Sequence, residues 1–279
     1  MPTLASSSRA ALAYIKETVY GTTPGAGNGR FLRMTGESLN FDLAKEESKE
    51  IRDDRQVGGA TTVDANAAGG FNFHMQYNEY DQLIEGAMQS TWTMHGGATT
   101  GVTATPFSAA YTATTITASV APTGSDAFTL LQQGQWFRVN HASNANDGKY
   151  FRVHASTPPT TTVITLDAST PATVVGSAAG CTLSAARIAN GVILNSYTLE
   201  KKFADVTQFL TYRGMGISKM SLNLSAGALA DGSFDFMGKD AIRGVVTALP
   251  GSTAVSKTYE IQNGVKGVGQ LWEGTTPLT

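Results

Sequence analysis

The chain has 279 residues and a formal net charge of -2, with 41% hydrophobic and only 15% charged residues. A soluble globular protein normally carries about a quarter charged residues, so much of this surface must be uncharged Thr, Ser, Ala, Gly and Asn. That balance excludes charge-driven disorder and a tight basic grip on nucleic acid, and the length suits one large domain or two modest ones.

No run of about 18 apolar residues occurs. The opening sequence, MPTLASSSRAALAYIKE, lacks the basic start, apolar middle and cleavage site of a secretory signal. A soluble compartment, with no membrane insertion of this chain, is the expectation. Cys181 is the single cysteine and cannot form an internal disulfide, and four histidines, His74, His95, His141 and His154, argue against a Cys/His zinc site.

Short segments of alternating apolar and polar residues, separated by Gly, Asn, Asp and Pro, predict half-buried antiparallel strands and a mainly β fold. The first clear one is Ser38 to Ala44, with Leu39, Phe41 and Leu43 on one side and Asn40 and Asp42 on the other. It runs into Lys45 to Arg55 (KEESKEIRDDR), a mixed-charge stretch read as a solvated loop or, in a chain this poor in charge, a contact surface. Gly70 to Tyr77 alternates Phe71, Phe73 and Met75 with Asn72, His74 and Gln76.

The rhythm then changes. From Asn78 to Ser90, Tyr80, Leu83, Ile84, Ala87 and Met88 recur at helical spacing, with Asn78 as the expected N-cap and Glu79 and Asp81 in the first turn. One short amphipathic helix flanking a sheet is predicted.

Between Gly97 and Arg187 the composition shifts to Thr, Ala, Ser and Gly, then reverts. We read residues 97–187 as an inserted small β-domain and residues 1–96 with 188–279 as the discontinuous main domain. Within the insertion, GQWFRVNH and GKYFRVHA flank an Asp147-Gly148 turn, with a core expected from Trp136, Phe137, Val139, Tyr150, Phe151 and Val153. The main domain resumes with Ser196 to Phe203 (Tyr197 and Leu199 against Thr198, Glu200 and Lys202), Lys219 to Ala226 (Met220, Leu222 and Leu224 against Ser221, Asn223 and Ser225) and Gly232 to Gly238 (Phe234 and Phe236 against Ser233 and Asp235).

Catalytic signatures are missing. GKD at Gly238 to Asp240 lacks the rest of a phosphate loop, GVKGVG at Gly264 to Gly269 has the wrong spacing for a dinucleotide site, and neither GxSxG nor HExxH occurs. Cys181, without a nearby His, reads as a packing residue. His141 and His154 could face one another across the hairpin but lack a third ligand, and the Asn144 to Gly148 turn lacks the closing Glu of a calcium loop. No enzyme, metal or cofactor is expected. The polar strand faces, neutral to mildly acidic, are the most informative feature.

The order of features resembles the tail tube proteins of long-tailed, non-contractile bacteriophages. The resemblance rests on AALAYIKETVYGTTPG (Ala10 to Gly25), RMTGESLNFD leading into KEESKEIRDDR (Arg33 to Arg55), GGFNFHMQYNEYDQLIEGAM (Gly69 to Met88), SYTLEKKF, and YRGMGISKMSLNLSAGALADGSFDFMGKD (Tyr212 to Asp240). It covers about two thirds of the chain.

The resemblance implies a β-sandwich or half-barrel with a flanking helix and hexameric rings stacked into a tube that conducts double-stranded DNA. It also implies an outward-facing inserted domain, assembly in the host cytoplasm into the virion tail, and tape measure and tail terminator or tip proteins as partners. The lumen set expected on this basis is Asn40, Asp42, Asn72, His74, Gln76, Glu200, Ser221, Asn223, Ser225, Ser233 and Asp235. Glu46, Glu47, Lys49, Glu50, Arg52, Asp53, Asp54 and Arg55 are the expected contacts between subunits and rings. The alternative weighed is a phage decoration or adhesin-like protein binding a carbohydrate or cell surface through exposed aromatics such as Trp136 and Tyr150.

Overall fold

The computed structural model describes residues 10–47, 59–96, 104–225, 227–251 and 260–263, and the backbone of Leu271–Glu273 and Thr276–Leu278. The chain is mainly β. In chain order the first strands are β1 (Ala10–Lys16), β2 (Arg30–Leu32), β3 (Gly36–Glu37), β4 (Asn40–Glu47) and β5 (Ala60–His74), followed by helix α1 (Asp81–Met88). Next come β6 (Thr93–Gly96), β7 (Phe107–Tyr111), β8 (Thr115–Ala118), β9 (Trp136–Asn140), β10 (Tyr150–Arg152), β11 (Val163–Thr165) and β12 (Val175–Arg187). The last are β13 (Tyr197–Phe203), β14 (Gln208–Asn223), β15 (Asp231–Gly238), β16 (Asp240–Gly244), and the hairpin β17 (Leu271–Glu273) and β18 (Thr276–Leu278).

Contacts divide the chain into two compact units, Met1–Ser90 with Asn190–Gly269, and Thr91–Ala189 with Gln270–Thr279. Strand β6 pairs with β12, so Thr93–Gly96 belongs with the second unit. In the first unit, Gly191 N–H donates to Met88 C=O at 3.0 Å and Ile193 N–H to Gln89 C=O at 2.8 Å, so the chain leaves and re-enters this unit at one place.

The first unit is an antiparallel sheet in the order β2-β1-β13-β14-β15-β5-β3, with β16 also on β14 and β4 also on β5. Leu12 and Tyr14 of β1 and Phe71 and Phe73 of β5 have three strands between them in this order yet share one buried cluster with Tyr197, Met215, Phe234, Phe236 and Leu83 of α1. The sheet is therefore curled around its apolar face, with the helix against it. Phe73 and Tyr80 rings lie 4.3 Å apart and Phe73 and Phe234 rings 5.0 Å apart. Gly86 permits the helix to settle, because a Cβ there would lie 2.6 Å from the Tyr197 hydroxyl, which donates to the Gln82 carbonyl.

Several expectations need correcting. Asn78 is not the helix cap: it sits in the preceding turn at φ 57°, and Tyr80 takes the N-cap position without a side-chain capping bond, its hydroxyl donating to the Arg33 carbonyl instead. Residues Lys45, Glu46 and Glu47 continue strand β4 rather than starting a loop, because they pair with Thr62, Thr61 and Ala60. Leu43 is 48% exposed, since it lies on the β4–β5 hairpin arm, whose far end is exposed on both faces among the described residues.

The second unit's sheet runs β10-β9-β12-β7-β8-β11, and a bridge between Val153 and Leu166 joins its two ends. This closes a small barrel, with β6 added off the closed path on β12. Its separate core includes Phe137, Val139, Phe151, Val153, Ile164, Tyr111 and Phe128. Trp136 and Tyr150 do not join that core: the period of two that turns Phe137 and Phe151 inward turns them out, leaving them 37% and 65% exposed.

His141 and His154 do not face one another. His141 Nδ1 lies 2.9 Å from the Tyr111 hydroxyl and its Nε2 3.0 Å from the Ala179 carbonyl, while His154 Nδ1 accepts from Ser156 N–H. Cys181, buried and 3.2 Å from the same Tyr111 hydroxyl, has its thiol pushed up to about 11 by burial. The Asn144 to Gly148 turn is held by protein: Asn146 exchanges two hydrogen bonds with the Thr173 backbone, and Asp147 accepts from His141 N–H.

Candidate functional site

Strands β5, β15 and β14 lie side by side in a register that sorts their residues by polarity. Phe71 opposes Phe234, which opposes Met220, and these enter the core. The intervening rows are polar: Asn72 opposite Ser233 opposite Ser221, His74 opposite Asp231 opposite Asn223, and Gly70 opposite Asp235 opposite Lys219. Since residues directly opposite share a face, the rows form one continuous polar surface. Ser221 and Ser233 hydroxyls are 2.7 Å apart, and a shallow depression of about 310 Å³ is lined by Thr35, Asn72, His74, Ser221, Asn223, Asp231 and Ser233.

The surface extends onto the arm. Phe41 opposes the buried Ala67, so Asn40 and Asp42, opposite Ala68 and Asn66, lie on the polar side. The Asn40 amide donates to the Asp42 carboxylate at 2.9 Å. Among the described residues Asp42, Asp64, Asp231 and Asp235 set the sign of this face, with Lys219 directly across from Asp235. Asp231 and Lys219 were missed in the sequence, although each stands two residues from an identified polar position. Ser225 lies just past β14 and is exposed; His74 is half-buried, its Nδ1 covered and without a hydrogen-bond partner.

Two members of the expected set lie elsewhere. Gln76 is buried, bridges in backbone to Ile261 and accepts from Arg33 at 2.7 Å. Glu200 is 4% exposed: its carboxylate accepts from Thr247 Oγ1 at 2.7 Å, Ala248 N–H at 2.6 Å and Thr211 Oγ1 at 3.4 Å. The segment Thr247 to Leu249 covers that part of the sheet, with Leu249 packed on Ala13 and Ile15. Of the expected charged contacts, Glu46 and Glu47 are exposed at the end of β4, whereas Lys49, Glu50, Arg52, Asp53, Asp54 and Arg55 lie outside the described residues.

A second polar centre was not anticipated. Glu17, in the ETVYGT stretch, is 7% exposed and accepts from Gly21 N–H at 2.8 Å, Gly214 N–H at 2.9 Å, Ser196 Oγ at 2.7 Å and Thr198 Oγ1 at 2.8 Å. It ties the turn after β1 to β13 and β14. All four of these partners are protein groups, so this centre holds structure together. Among the described residues no group of three or more His, Cys, Asp or Glu is placed to hold a metal ion, and no helix is long and apolar enough to cross a membrane.

A family model described as phage tail tube protein matches residues 7–279. The chain belongs to that family. No curated protein matches it as a relative. A tail tube protein is a structural subunit of the virion tail and assembles with other subunits into a tube. The outermost strands of the sheet offer edges for pairing. Among the described residues, arm strand β4 pairs with β5 alone and β2 with β1 alone, which leaves one side of each open to a further strand.

Proposed function

We propose that six copies of this tail tube protein close into a ring, that rings stack into a tube, and that the tube conducts double-stranded DNA during ejection. The polar face of β5, β15 and β14 lines the bore, with Asn40, Asp42, Asn72, His74, Ser221, Asn223, Ser225, Ser233 and Asp235 joined by Asp231 and Lys219. Gln76 and Glu200 support the wall from inside. The observation that carries this reading is the register itself. It puts an acidic, hydroxyl- and amide-rich surface opposite a phenylalanine core, and such a surface offers phosphate few cations to displace its counterions.

Ring closure by edge pairing removes the open edges that would otherwise aggregate. The charged residues from Glu46 through Arg55 make the contacts with the neighbouring subunit or ring. Exposed ion pairs contribute only about 0–1 kcal/mol each, so several act together. The second unit faces outward, tape measure and terminator or tip proteins complete the tail, and assembly takes place in the host cytoplasm.

Electron microscopy of the purified protein should show rings or tubes of uniform bore; particles of any other symmetry refute the hexamer. Asp42→Lys combined with Asp235→Lys should leave assembly intact, slow DNA ejection from phage, and give tubes that retain DNA at low salt and release it as salt rises. Wild-type ejection kinetics in that double variant would remove this face from the bore.

A further inference from the structure

The second unit carries an exposed aromatic face. Within Thr91–Ala189 the described aromatic side chains are mostly buried or half-buried, but Trp136 and Tyr150 are 37% and 65% exposed. They do not lie at random. Tyr150 is directly opposite Arg138 in the β9–β10 register and Trp136 is two residues before Arg138, so the two aromatic residues are diagonal neighbours on the outer side of one strand pair, with Arg138 on that same side. Along the same face Asn140 donates its amide to Ser184 Oγ at 2.8 Å, and Ser184 stands opposite Arg138 on β12.

The charge around this patch is one-sided. The unit's main segment holds three carboxylates, Asp126, Asp147 and Asp167, and no Glu. All are engaged within the fold: Asp126 accepts from Thr105 N–H, Asp147 from His141 N–H, and Asp167 from Ser169 while facing Arg152. Hydrogen bonds from Ser169 hold the Asp167 carboxyl below its ordinary range. Arg138 is exposed, makes one long bond of 3.4 Å to the Gly148 carbonyl, and meets no carboxylate among the described residues. An exposed guanidinium on the same strand face as two exposed aromatic residues, with amide and hydroxyl groups alongside, is complementary to a sugar acid: the fork takes a carboxylate in two parallel bonds, and the rings take the C–H faces of adjoining pyranoses.

We propose that this face of the second unit binds an acidic, uronate-bearing polysaccharide through Trp136, Arg138 and Tyr150. Arg138 and the neighbouring Lys149 are too few exposed cations for a phosphate polymer, whose binding is built from many Lys and Arg. The inference concerns the second unit alone and stands whether or not six copies form the ring.

The test is affinity electrophoresis of the full chain in gels cast with polygalacturonate, hyaluronate or neutral dextran, with oligothymidylate binding measured in parallel. Retardation by at least one of the two polyuronates and none by dextran is expected. Trp136→Ala with Tyr150→Ser leaves the charge unchanged and should weaken that retardation by about tenfold or more, the effect of removing two stacking rings. Arg138→Gln should weaken it comparably. Tyr150→Ser alone, at a largely exposed position, gives a partial loss in a fold that cannot depend on it. The proposal is overturned if neither polyuronate binds, if the aromatic double variant binds like wild type, or if oligothymidylate binds more tightly than either polyuronate.

Discussion

Glu17→Gln is the most informative single change in the first unit, because it alters no shape and still breaks the buried centre. Oε2 of Glu17 accepts from Gly21 N–H and Ser196 Oγ, and Oε1 from Gly214 N–H and Thr198 Oγ1. A glutamine can present its oxygen to only one of these pairs and must aim its NH₂ at the other. The serine or threonine hydroxyl can rotate away, but a backbone N–H cannot. One buried N–H therefore loses its acceptor, at about 1–3 kcal/mol, and the remaining bonds lose their charge assistance. We expect a total near 3 kcal/mol, which for a unit of this size lowers the melting midpoint by about 6–12 °C.

The assay follows from where the tryptophans lie: Trp92, Trp136 and Trp272 all belong to the second unit. Tryptophan fluorescence therefore follows the second unit, while far-ultraviolet circular dichroism follows both. With separate cores, Glu17→Gln should move the dichroism transition and leave the fluorescence transition in place. A dichroism midpoint within about 2 °C of wild type, equivalent to less than about 1 kcal/mol, would refute the argument that Glu17 holds the turn to the sheet.

Gly86→Ala should destabilise by about 1–3 kcal/mol by overpacking against Tyr197 and Ile217, despite a gain of about 1 kcal/mol in helix propensity; a higher dichroism midpoint would show that the helix is free to shift. His95 is 3% exposed, and burial lowers its pKa below the ordinary 6.5, so its neutral form contributes fully above 6.5 and that contribution is lost as pH falls toward the folded value. The fluorescence midpoint should drop between pH 7.5 and pH about 5, more steeply in wild type than in His95→Gln; equal slopes would discard this account. Replacing Thr91–Ala189 by a short Gly/Ser linker should leave the first unit folded, because Gly191 and Met88 are already within hydrogen-bonding distance, and should give tubes of unchanged bore and smaller outer diameter. Loss of the first unit's dichroism transition would mean that the two units fold only together.

What the sequence determined is what neighbouring residues encode. Alternation in GFNFHMQ, KMSLNLS and GSFDFMG separates Phe71, Phe73, Met220, Phe234 and Phe236 from Asn72, His74, Ser221, Asn223, Ser233 and Asp235, and the structure keeps every one of those side assignments. The helical spacing from Leu83 to Met88 is equally local, because it needs only the period of the backbone. The tertiary structure decided which faces meet solvent. Glu200 sits on the polar side of β13 as its alternation requires, but Thr247 to Leu249, more than forty residues away, lies over it and turns a surface carboxylate into a buried one. Gln76 is covered in the same way by its bridge to Ile261. Tyr150 and Trp136 show the converse, since aromatic character suggested a core and the closure of the barrel around Phe137 and Phe151 left them outside. Periodicity is written into adjacent residues, whereas burial depends on which remote segment comes to rest on a face, and that is settled only when the whole chain packs.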